Sequence, residues 1–117
     1  MAKFLLVFKG GDPTPETKVT HMEEWKTWIQ GLTNEGKYES GMPFAEEQKK
    51  VQGPENHVSS IIDGAGGYMV VNLDSFNEAL DIARSAPHQH NGGYTEVYSL
   101  MEADSKPQQA FQQPSSQ

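Results

Sequence analysis

The stretch GGYMVVNLDSFNEALDIARSAP, residues 66–87, decides the fold. Asp63 to Gly67 reads as a turn. Tyr68 to Leu73 then reads as a strand, with Met69, Val71 and Leu73 on one face and Tyr68 and Val70 on the other. A helix follows at once. Ser75-Phe76-Asn77-Glu78 has capping-box spacing, in which a serine hydroxyl accepts from the N3 amide and a glutamate reaches back. Phe76, Ala79, Leu80 and Ala83 fall at i, i+3, i+4 and i+7, one apolar face. Pro87 ends the helix. After the loop HQHNGG, Tyr94 to Met101 (YTEVYSLM) has the aromatic and β-branched residues of a further strand.

The first half of the chain has the same order. Lys3 to Lys9 (KFLLVFK) is a strand with apolar residues on both parities. Gly10 to Pro15 breaks it. A helix opens at Thr20, where Thr20-His21-Met22-Glu23 again has capping-box spacing. Met22, Trp25, Ile29 and Leu32 form its stripe, flanked by Trp28, and Gly36 is its left-handed stop. Lys37 to Gly41 reads as a short strand ended by Pro43, residues 44–56 as a polar loop, and His57 to Ile62 as a short strand.

Strand–helix–strand written twice is the split βαβ pattern of the ferredoxin-like fold, βαββαβ, an α+β architecture with both helices on one face of an antiparallel sheet. The other face is left uncovered. Here it carries apolar residues, because the Lys3 and Tyr68 strands are apolar on both parities, and such a patch marks an interaction surface. The simplest cover is an identical chain on a two-fold axis, so the expectation is a homodimer packed through the sheet face.

Composition narrows the function. The 117 residues carry net charge −7, with 16 acidic against 9 basic side chains and no cysteine. That is one domain's worth of chain. No disulfide framework or thiol nucleophile exists. Too few cations are present to track phosphate backbones, so nucleic acid is not expected as a partner, nor is an anionic membrane. The apolar run Phe4 to Phe8 is too short for a signal peptide or membrane span, which places the chain by default in the cytoplasm. Residues 1–102 form the expected domain. From Ala103 the sequence ADSKPQQAFQQPSSQ reads as a flexible tail.

FLLVFKGGD, HMEEWKTWIQGL, GKYESGMP, the 66–87 block and GGYTEVYSL, in this order and spacing, resemble the YCII-related, or DGPF-domain, family. The resemblance covers Lys3 to Met101. It implies the dimeric α/β barrel variant of the ferredoxin-like fold. Many members have no assigned activity; others resemble muconolactone-isomerase-like enzymes, and one branch includes a dehydrochlorinase of a chlorinated hydroxyhydroquinone. The Asp-Gly-Pro-Phe hairpin is absent here. The shorter SSIIDGAGGY keeps only Asp63-Gly64.

The resemblance also implies a pocket with a His–carboxylate pair. His21 matches the histidine, Glu46 is the nearest match to the acid, and Asp63 is a second candidate. A histidine in the first helical turn meets the positive end of the helix dipole, which favours a neutral imidazole able to move a proton. Trp28, Tyr68 and Tyr98 are candidate ligand-binding side chains, while Trp25 reads as core. His88 and His90, with Glu96 and His57, have chelating residue types, but two loop histidines exposed to water are the simpler reading, and no metal site is assigned. The glycine pairs lack Walker or Rossmann spacing. The function expected is a small-molecule lyase or isomerase working without cofactor. The alternative is a non-catalytic small-molecule-binding or accessory module; an interaction protein acting through its Gln-rich tail is a third, weaker reading.

Overall fold

A computed structural model describes residues 1–101, so the expected tail lies outside the described residues. Four strands form one antiparallel sheet: β1 (Ala2–Lys9), β2 (Tyr38–Pro43), β5 (Ala65–Leu73) and β6 (Tyr94–Ser99), in the order β2-β5-β1-β6. Helices α1 (Lys18–Asn34) and α2 (Phe76–Arg84) connect β1 to β2 and β5 to β6. This is the ferredoxin-like α+β arrangement expected from the sequence.

The register follows from strand parity. Leu6 pairs with Met69 and Phe4 with Val71, and all four side chains are buried beneath the helices. The intervening residues pair with one another on the other face: Val7 with Tyr68, Leu5 with Val70 and with Tyr98. A slip of one residue would exchange the two faces entire, so burial of Phe4, Leu6 and Phe8 fixes the pairing. Leu6, Met69, Val71 and Leu73 are the largest fully enclosed side chains. Each contributes about 1.5–3 kcal/mol through removal from water.

α2 begins as its sequence requires. Ser75 Oγ accepts from Glu78 N at 3.1 Å, while the Glu78 carboxylate accepts from Asp74 N at 3.1 Å, one residue before the cap. α1 starts earlier than Thr20. A 3-10 turn over Pro15–Thr17 feeds directly into Lys18, with Thr17 Oγ1 accepting from Thr14 N at 3.1 Å. Thr20 is therefore an exposed residue inside the helix, not its cap. Gly36 does close α1, at φ 73°, with Lys37 N donating to Leu32 O at 2.9 Å.

Three further corrections concern strands. Lys49–Gln52, within the expected loop, forms β3 and pairs with β4 (His57–Ser60) as a separate two-stranded hairpin. Its residues are mostly polar, with Val51 opposite Val58 as the one apolar pair; the left-handed Gly53 and Asn56 reverse the chain and bring the strands together. β5 begins at Ala65, so Gly66 and Gly67 belong to the sheet and not to a turn. β6 stops at Ser99, short of Met101.

Candidate functional site

α1 does not lie flat on the sheet. Of its seventeen residues only Leu32, near its C-terminus, is buried, whereas Trp25, Trp28 and Ile29 are half-buried against the core. The space left under its N-terminal half is a cavity of about 430 Å³. Phe8, Trp25, Ile29 and Met69 give it apolar walls; His21, His88, Asp12 and Lys26, with the phenols of Tyr38 and Tyr68, are its titratable groups. A mostly apolar cavity with a few polar groups is the usual form of a small-molecule site.

His21 stands one helical turn before Trp25. The Trp25 indole Nε1 donates to His21 Nε2 at 2.8 Å. The other ring nitrogen, Nδ1, lies 4.0 Å from a Glu24 carboxylate oxygen and 3.5 Å from Asn91 Nδ2. Trp25 is itself held by Phe8 edge-on at 4.9 Å, Trp28 at 5.4 Å and His88 at 5.5 Å between ring centroids.

His88 is the largest departure from the exposed-loop reading. It is 3% exposed, in a 3-10 turn spanning Pro87–Asn91 that packs beside α1. Two glycines make room for it. A Cβ on Gly11 would sit 2.4 Å from His88 O, and one on Gly93 would sit 2.5 Å from His88 Cδ2. His88 Nε2 lies 2.8 Å from the Tyr94 carbonyl, which only accepts, so this nitrogen carries the proton. Nδ1 is then a buried lone pair, and it has no hydrogen-bond partner. Burial pushes the imidazole below its ordinary pKa; the bond to Tyr94 opposes this and His21 nearby adds to it. His88 is thus held neutral. His90, two residues on, is exposed, and among the described residues no three His, Cys, Asp or Glu side chains are placed to hold a metal.

The remaining sequence candidates lie elsewhere. Glu46 is exposed after β2 and does not line the cavity. Asp63 and Tyr98 line a second hollow on the opposite face of the sheet. Lys9, Asp63, Glu96 and Tyr98 there are engaged with one another or with Tyr94. Lys9 lies 3.5 Å from Glu96 and 3.8 Å from Asp63, Tyr98 donates to Glu96 at 2.9 Å, and Tyr94 donates to Asp63. Those carboxylates raise both phenols, Tyr94 to about 12. Tyr68 borders the cavity, yet its ring packs against Phe44 at 5.9 Å, and its partner Val7 belongs to the opposite face. Trp28 is not part of the cavity wall; its indole donates to Ser85 Oγ at 2.8 Å and ties α1 to the end of α2. The structure therefore brings His21 to the cavity without Glu46 or Asp63, and adds His88 and Asp12.

No family model matches the chain, and no curated protein matches it. Among solved structures it is similar to 5-chloro-2-hydroxyhydroquinone dehydrochlorinase (TftG) from Burkholderia phenoliruptrix AC1100, in complex with 2,5-dihydroxybenzoquinone. The TM-score is 0.52, at 16% identity over 86% of this chain and 95% of that chain. At this identity the two proteins share a fold, and that fold is the ferredoxin-like sheet with two helices described above.

Proposed function

We propose that the chain binds a small, largely apolar molecule under α1 and catalyses a lyase or isomerase reaction on it by proton transfer, without a cofactor. One observation carries this reading: His21, His88, Asp12 and Lys26 all line one cavity whose walls are mostly apolar. An apolar wall strengthens each polar contact made inside it, and one imidazole and one carboxylate suffice to shift a proton. His21 contacts the reacting oxygen and Asp12 supplies the carboxylate, in place of Glu46 or Asp63. The dehydrochlorinase with the same fold binds a dihydroxybenzoquinone, which supports hydroxylated rings as a first ligand class by analogy of fold alone.

The test is a panel of lactones, hydroxylated aromatics and quinones offered to wild type, Asp12→Asn and His21→Ala in deuterated water. Enzymatic exchange or elimination on one compound, lowered at least tenfold in each variant, is the expected result. Binding without turnover would favour the non-catalytic module. Equal turnover in all three proteins would remove both side chains from the reaction.

The working form is a homodimer through the uncovered sheet face. Leu5, Val7 and Val70 line that face, and Tyr98 beside them is 47% exposed. Val70→Asp is expected to sediment as a monomer where wild type sediments as a dimer. A monomeric wild type would contradict the dimer and leave the cavity reading standing.

A further inference from the structure

We propose that Trp25 is a positioning residue for His21: it fixes the imidazole as the neutral tautomer protonated on Nδ1, so that His21 meets a ligand as an N–H donor to an acceptor oxygen. An indole nitrogen can only donate. Its 2.8 Å contact with His21 Nε2 therefore uses that atom's lone pair. A neutral imidazole has one proton, which must then sit on Nδ1. Asn91 Nδ2 also faces Nδ1, at 3.5 Å. Were that a hydrogen bond as well, the ring would have two acceptors and no proton. Distance decides between them, since 2.8 Å is a full-strength bond and 3.5 Å lies at the limit where the interaction fails. Asn91 Nδ2 is equally far, 3.5 Å, from the Gly11 carbonyl oxygen, an acceptor to which it can donate instead.

Trp25 cannot easily release His21. The two residues are four apart on α1, where side chains stack one above the other. The indole is braced by Phe8, Trp28 and His88, and the His21 side chain is only 11% exposed. In this arrangement neither nitrogen of His21 offers a free lone pair, so His21 is not the base. A neutral imidazole N–H instead polarises a carbonyl or enolate oxygen, as other enzymes use it. Only this last assignment rests on the proposed proton-transfer function; the tautomer stands independently of it.

The experiment is the imidazole nitrogen–proton correlation spectrum of the full-length ¹⁵N-labelled chain at neutral pH, with His21 assigned by comparison with His21→Gln. The expected result is a pyrrole-type signal at Nδ1 and a pyridine-type signal at Nε2. Trp25→Phe keeps an aromatic ring and removes the donor, and is expected to move the proton to Nε2. A wild-type ring protonated at Nε2, or at both nitrogens, would overturn the proposal, as would an unchanged tautomer in Trp25→Phe. Should that variant fail to fold, a scalar coupling between the Trp25 indole proton and His21 Nε2 in wild type decides instead, its absence counting against the clamp. An Nδ1-protonated His21 in a chain that turns nothing over would count against the enzyme reading and leave the clamp intact.

Discussion

The two helices cover the same sheet and do different things. α2 is nine residues long and buries Ala79, Ile82 and Ala83; α1 is seventeen residues long and buries only Leu32. Small side chains let α2 approach the strands closely. The tryptophans of α1 hold it off, and Trp25 and Trp28 span the gap against Phe8. The short helix is packed into the core, and the long one forms the wall of the cavity.

That contrast can be broken by substitution. Ile82→Ala under α2 is expected to cost about 2–5 kcal/mol in chemical denaturation, as large-to-small changes in a packed core do. Met22→Ala, on the half-exposed cavity side of α1, should stay within about 0.5 kcal/mol. Equal losses would mean that α1 packs as tightly as α2.

Gly11 and Gly31 differ in the same way. Gly11 has φ +70° and no room for a Cβ beside His88. Gly11→Ala should cost about 1–3 kcal/mol through backbone strain and displace the Pro87–Asn91 turn. Gly31, inside α1, has nothing within 4 Å of a Cβ. Gly31→Ala should stabilise by about 0.5–1 kcal/mol, through helix propensity alone. Thermal melts of the two variants should therefore move in opposite directions.

Ser75→Ala tests the start of α2. Loss of the bond to Glu78 N should cost about 1 kcal/mol. Thr20→Ala should cost less, because Thr20 does not cap α1.

The smallest expected effect is a pH dependence. His88 has a folded pKa below its unfolded value, so the unfolded chain binds the extra proton. Its contribution to stability is complete above the ordinary histidine pKa of about 6.5 and is lost as pH falls below that value through the folded pKa. Denaturation midpoints of His88→Gln should fall less than those of wild type over this window. Identical slopes would show that His88 is not buried neutral.

How much of this could be read in the sequence follows from the range of each interaction. Residues 66–87 announce strand, cap and helix because those signals are local, and the ferredoxin-like order follows. His21 was legible from its place at the start of a helix and its match to a family pattern. The β3–β4 hairpin was not, since KKVQ has no alternation and becomes a strand only by pairing with HVSS. The α1 start slipped by two residues because PET and THME offer competing caps a few residues apart. His88 was hidden most deeply. Its burial depends on Gly11 and Trp25, far away in the chain, and nothing in HQHN distinguishes His88 from the exposed His90.

The proposed ligand enters between α1 and the sheet. The methionines report on it directly: Met22, Met42 and Met69 line the cavity, while Met1 and Met101, 84% and 94% exposed, serve as internal controls. The decisive measurement is a methionine-methyl titration of the labelled chain with 2,5-dihydroxybenzoquinone, followed by lactones and phenols. Saturable shifts at Met22, Met42 and Met69, with Met1 and Met101 unmoved, are the predicted result. No saturable shift at those three with any compound, or equal movement of all five, would contradict the account.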